Sequence, residues 1–248
     1  PDAVASIVEG QYKQAVASLD EFLGKAILQG QAANDTTSIA SAQQNPADSS
    51  YFVEPLGKLI KYDPPSATTL GGVAQSANAW WRNQTKASAA TTCTQFLDEL
   101  RALYILTGKG GGGQFRFPDF HIVCLEVAEV YERALAFQHQ NQSYEKGDIP
   151  YANVAFKTKP VIGDEYTPDA YSGSTTLTYG TWYMCNSNNL YFEYDKSDSF
   201  KQKPAVRPYN SLSSVALMPV RGCFFSDNRR KLGVLSKIAF STLRTSAT

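Results

Sequence analysis

The chain has 248 residues, 43% hydrophobic and 12% aromatic, enough for one large core or two small ones and too apolar for a disordered protein. Lys+Arg and Asp+Glu balance at 23 each, so no long-range field gathers nucleic acid, and only a local basic face is left for that role. No apolar run approaches the ~18 residues of a membrane span, no signal peptide is visible, and the four scattered cysteines have neither zinc-knuckle nor redox spacing.

In chain order, Asp2 is a good N-cap, and Val4, Ile7, Val8, Tyr12, Ala15, Val16, Leu19, Leu23 and Ile27 recur at helical spacing. They predict one helix from about residue 3 to 29, roughly 40 Å long, lying across a sheet that contains residues 215–240. Gly10 and Gly24 mark places where another backbone can approach it. Residues 31–50 are Ala, Ser, Thr, Asn and Gln with almost no apolar anchor, and read with 109–114 as the least ordered stretches. Order returns at 51–60 through Phe52, Val53, Leu56, Leu59 and Ile60, and a strand is expected through Trp80, Trp81, Arg82 and Asn83. Adjacent strand residues face opposite ways, so one of Trp80 and Trp81 should leave its own subunit's core.

Thr91 or Thr92 can cap a second helix that stops at Gly108, ahead of the glycine run 110–113. Residues 120–124 read as a buried strand, followed by a third helix carrying Val127, Val130, Tyr131, Leu135 and Phe137. Beyond Pro150 the pattern changes to short strands at 154–156, 161–162, 181–185, 190–194, 215–220 and 232–238. Helices first and strands later predict an α+β fold.

Catalysis has little to draw on. His121 sits inside an apolar strand and reads as a core or edge histidine, while His139 lies in a polar loop. Neither has a partner at metal-ligand spacing, so no catalytic, cofactor or metal residues are assigned. In the run from Gly108 to Gly113 the lysine is followed by glycines and the run closes a helix, the reverse of a phosphate loop. Asp164, Glu165 and Asp195 sit beside turn residues and read as turn chemistry. The basic residues Arg221, Arg229, Arg230, Lys231, Lys237 and Arg244 read as a solvated face.

Four stretches, taken in order, resemble the major capsid proteins of tailed bacteriophages, the Hong Kong 97 type. They are Phe52 to Ile60 with Gly71-Gly72-Val73, then Trp80-Trp81-Arg82-Asn83. The helix, glycine loop, Pro118-Asp119 strand and following helix come next, and last the run from Val154 through Pro160-Val161 and Gly180 to Leu190. The resemblance implies a long spine helix and a peripheral domain over 1–85 and 211–248, with an axial domain over 86–210. It also implies a structural shell protein, not an enzyme, whose partners are copies of itself in pentamers and hexamers. Non-specific contact with packaged double-stranded DNA is implied too, as are scaffolding, portal or decoration proteins, and a virion assembled in the bacterial cytoplasm. Trp80, Trp81, Arg82, Lys109 and Arg116 are the interface candidates.

Two features depart from that pattern. The chain opens on Pro1, almost at the spine helix, without the usual N-terminal arm and hairpin loop. The 248 residues alone are therefore expected to form a monomer or small ring, not a closed shell. Ala74-Gln75 also stands where relatives often place Asp-Arg, which alters a local ion pair. The alternatives are an encapsulin-like or gene-transfer-agent shell, and a carbohydrate- or receptor-binding module built on the Tyr-, Trp- and Asn-rich strands between Tyr179 and Tyr194.

Overall fold

A computed structural model describes residues 2–29, 55–64, 69–109, 117–138, 154–171, 177–197, 201, 203–204, 206 and 222–245. The expectations for 31–50, 110–116, His139 and 215–220 lie outside them.

The amphipathic spacing at the start produces one unbroken helix, α1 (Asp2–Gln29). Its packing differs from the expectation. Among the described side chains, the buried apolar ones lie in its last turn, Ala26 and Leu28, with Leu28 in a cluster with Leu56, Leu59, Ile60, Tyr183, Leu232 and Val234. Tyr12 and Phe22 are exposed. A Cβ at Gly10 or Gly24 would touch nothing within 4 Å among the described residues, so none of their backbone approaches either. A side-chain clasp supports the helix end. The Tyr166 hydroxyl donates to Glu21 at 3.2 Å, and the Lys25 ammonium lies 2.5 Å from Glu21 and 4.8 Å from the Tyr166 ring centre.

A single turn, α2 (Leu56–Leu59), buries Leu56 and Leu59 under that end. β1 (Thr69–Leu70) and β2 (Val73–Ala74) form a small hairpin, and β3 (Gln84–Ala87) leads to α3 (Cys93–Gly108). Thr92 caps α3 by accepting from the Gln95 amide at 3.3 Å. β4 (Phe120–Cys124) runs directly into α4 (Leu125–Gln138). There follow β5 (Ala155–Phe156), β6 (Lys159–Asp164), β7 (Gly180–Cys185), β8 (Leu190–Tyr194), β9 (Gly222–Ser226), β10 (Gly233–Ile238) and α5 (Phe240–Thr245). Asp164 and Asp195 cap turns, accepting from the Tyr166 and Ser197 amides at 2.7 and 2.8 Å.

Six strands make one mixed sheet in the order β3-β10-β7-β4-β6-β5, so the fold is α+β. The β3–β10 and β4–β6 pairs are parallel and the rest antiparallel. One face is covered by Phe96, Leu97, Leu100 and Leu103 of α3, Val127, Val130 and Tyr131 of α4 and Leu243 of α5. They close over Val123, Trp182, Met184, Leu235 and Ile238, at about 1.5–3 kcal/mol for each fully buried large side chain. The opposite face carries Tyr183, Cys185 and Val234 under α2 and the end of α1. All six residues of β7 are buried, and a Cβ at Gly180 would overlap Val127, so only glycine lets α4 lie this close.

Two hairpins use the same two-residue turn with unlike residues. Gly71 and Gly72 join β1 to β2 at φ +58° and +77°, where glycine pays no steric penalty. Lys157 and Thr158 join β5 to β6 at φ +53° and +66°, in a region that disfavours side chains. Lys157→Asn with Thr158→Gly should therefore stabilise the chain by about 1–2 kcal/mol. Thermal melts of the double variant check this; an unchanged or lower midpoint contradicts it.

Candidate subunit interface

Residues 69–83 form a compact platform. In place of the strand expected through Trp80 to Asn83, Ala79–Trp81 is a 3-10 turn, because Asn78 ties its own start down. The Asn78 amide and side-chain nitrogens both donate to the Ala74 carbonyl, at 3.2 and 2.9 Å. The turn separates the two tryptophans. Trp81 lies half-buried and donates from Nε1 to the Leu70 carbonyl at 3.2 Å. Trp80 is 61% exposed, its Nε1 donating to Asn78 Oδ1 at 3.1 Å and its ring 5.9 Å from that of Trp81.

Arg82 turns inward, donating to the Gln75 carbonyl at 2.5 Å and to the Ser76 carbonyl. Of the three neighbouring candidates, only Trp80 therefore presents its side chain fully outward. Lys109 is exposed just past α3, beside the stacked rings of Tyr104 and Phe117, 4.8 Å apart. Arg116 lies outside the described residues.

The platform is clamped to the body by Arg229, 1% exposed, in the 3-10 turn Arg229–Lys231. Its Nε donates to the Leu59 carbonyl at 2.7 Å, Nη1 to Gln75 Oε1 at 2.7 Å and to the Trp81 carbonyl at 3.4 Å, and Nη2 to Asn83 Oδ1 at 3.1 Å. These acceptors are all neutral, and Gln75 is the residue that stands where an ion pair was expected to change. Burial pushes the Arg229 pKa down to about 10, which leaves it charged at neutral pH. Burial, then the nearby Lys58 and Arg229 charges, lowers the Lys61 pKa. Asn83 completes the clamp, donating to the Lys61 carbonyl at 2.7 Å and accepting from its amide at 3.1 Å.

Two members of the basic run depart from a solvated face: Arg229 and Lys231 are buried, Arg229 by its bonds to the platform, whereas Arg230, Lys237 and Arg244 are partly exposed and Arg221 lies outside the described residues. A count of charges cannot show this, since what buries the arginine is a set of distant carbonyls and amides.

His121 is buried in an aromatic nest, its ring centre 5.4 Å from Phe156 and 5.7 Å from Trp182. Its Nδ1 accepts from Trp182 Nε1 at 3.2 Å, so the neutral ring carries its proton on Nε2, which has no hydrogen-bond partner among the described residues. Burial lowers its pKa to about 4, against a weaker upward pull from Asp119. Among the described residues no three of His, Cys, Asp and Glu gather as a metal site would need, and no helix is long and apolar enough to cross a membrane. Cys93, Cys124 and Cys185 are buried free thiols, and Cys223 is an exposed one.

No protein-family model matches the sequence, and no curated protein does. Among solved structures the chain is similar to one described as "Cyanophage A-1(L) capsid asymmetric unit", with a TM-score of 0.55 and 16% sequence identity. The match covers 94% of this chain and 69% of that one. The fold is capsid-like.

Proposed function

We propose that this chain is the shell-forming major capsid protein of a tailed bacteriophage, of the Hong Kong 97 type, and acts as a building block, not an enzyme. The observation that carries the reading is the capsid-like fold, matched over nearly the whole chain. In this reading residues 1–85 and 211–248 form the peripheral domain and 86–210 the axial domain, with α1 as the spine. Copies associate in rings of five or six, and the rings close a virion shell around double-stranded DNA in the bacterial cytoplasm. Scaffolding, portal and decoration proteins are the further partners.

Trp80 supports this as a contact residue. An indole held open on a rigid platform loses little entropy on docking, and tryptophan is the residue type most enriched at interface hot spots. Light scattering and negative-stain microscopy of the purified chain test the proposal, with small rings as the expected species. Trp80→Ala should weaken self-association at least tenfold while shifting the thermal midpoint by only about 1–2 °C, because the side chain is mostly solvated. A wild-type chain that stays monomeric at every concentration overturns the reading.

A further inference from the structure

We propose that copies of this chain meet head to tail through two unlike surfaces, the Tyr62, Tyr171 and Lys237 cluster of one copy and the Tyr191, Phe225 and Glu193 face of the next. The inference rests on the self-assembly proposed above and names surfaces that carry it.

The first surface is assembled from three separate parts of the chain. Tyr62 and Tyr171 are 39% and 37% exposed, their rings 5.7 Å apart and tilted by 59°. Tyr179 stands edge-on behind Tyr171 at 5.7 Å. The fully buried Asp169 fixes this arrangement, accepting from the amides of Tyr171 and Tyr179, both at 3.0 Å. Lys237 comes from β10, where the register with β7 shifts between Leu235 and Ile238. Its φ is +58°, a conformation that costs a side chain about 1–2 kcal/mol and here re-aims it out of the strand's alternation. The ammonium ends 5.0 Å from the Tyr171 ring centre, and among the described residues it has no carboxylate partner. A rigid aromatic pair beside an unneutralised cation fits an apolar surface that carries a carboxylate.

The second surface has that chemistry. β8 and β9 form a two-stranded ribbon of their own, in which Tyr191 pairs with Phe225 and Glu193 with Cys223. Alternation puts these four on one face, while Leu190 and Phe224, on the other, pack against the second core cluster. The Tyr191 and Phe225 rings stack at 5.3 Å, Tyr191 is 38% exposed, and the exposed Glu193 has no ion pair among the described residues. Both surfaces are therefore aromatic, each with one charge that has no ion-pair partner among the described residues, and of opposite sign. Because the two differ, the contact is heterologous, and it closes a ring when the rotation between copies divides a full turn.

Sedimentation equilibrium of wild type, Lys237→Glu, Glu193→Lys and an equimolar mixture of the two variants decides it. Each variant alone should associate about tenfold or more weakly, with the melting midpoint shifted by only about 1–3 °C, since Glu193 is exposed and Lys237 is half-exposed against the Tyr171 ring. The mixture should recover to within about threefold, because one interface is native and the other carries the reversed pair. In parallel, an amine–thiol cross-linker applied to wild type should join Cys223 of one copy to Lys237 of another. Should a variant fail to fold, this cross-link decides alone. Wild type that associates while the variants do not differ, or a mixture that does not recover, overturns the inference and leaves self-assembly standing. Wild type that never associates overturns both.

Discussion

Arg229→Met should lower the unfolding free energy by about 3–5 kcal/mol and the melting midpoint by roughly 10 °C. Methionine fills much of the same volume but takes the guanidinium donors from the Leu59 and Trp81 carbonyls, Gln75 Oε1 and Asn83 Oδ1, of which Asn83 keeps the Lys61 amide. Each buried acceptor so orphaned costs about 1–3 kcal/mol, less whatever the site recovers by relaxing. Arg229→Lys should recover little, because a single ammonium cannot span acceptors arranged around a planar fork. Since Arg229 ties Gln75 and Trp81 to Leu59, the loss should also loosen the surface that presents Trp80. Urea titrations of both variants, with tryptophan fluorescence as the local reporter, check this. A methionine variant within 1 kcal/mol of wild type would mean that the clamp is replaceable.

Acid should destabilise the chain through His121. The folded-state pKa of about 4 lies below the ordinary 6.5, so the unfolded chain binds the proton first. Stability from this residue is fully present above pH 6.5 and is lost as pH falls from there towards 4. At about 1.4 kcal/mol per pH unit the loss reaches about 3 kcal/mol. The physical cause is burial in the nest of Phe156, Trp182 and Tyr131, which outweighs the pull of Asp119 and leaves Nε2 without a partner among the described residues. His121→Phe removes the acceptor for Trp182 Nε1, a penalty that does not depend on pH. Its stability should be lower than wild type at pH 7 but should fall less between pH 7 and 4. Parallel pH profiles for the two proteins would show that another group carries the acid sensitivity.

The local pattern alone determined much of this chain. α1, α3, β4 and α4 stand where hydrophobic spacing and a threonine cap place them, because apolar periodicity and capping are short-range properties. The burial of His121 was legible for the same reason, since it is flanked by Phe120, Ile122 and Val123 in an apolar strand. The order of four weak motifs pointed to a capsid-like fold. β9 and α5 were not legible: Cys223 to Phe225 is too short a run to show a period, and Phe240 to Thr245 offers barely one turn.

Only the tertiary structure decided how those elements are used. It puts the buried apolar side chains described for α1 in its last turn, because helix length follows local spacing whereas packing depends on what the opposing surface offers. It turns Trp80 outward and Arg82 inward through a 3-10 turn anchored on Asn78 and Ala74, a geometry that two adjacent tryptophans do not encode by themselves. And it buries Arg229 beneath residues 59–83, some 150 positions away in the chain, because charge is a property of one residue while burial belongs to everything that closes around it.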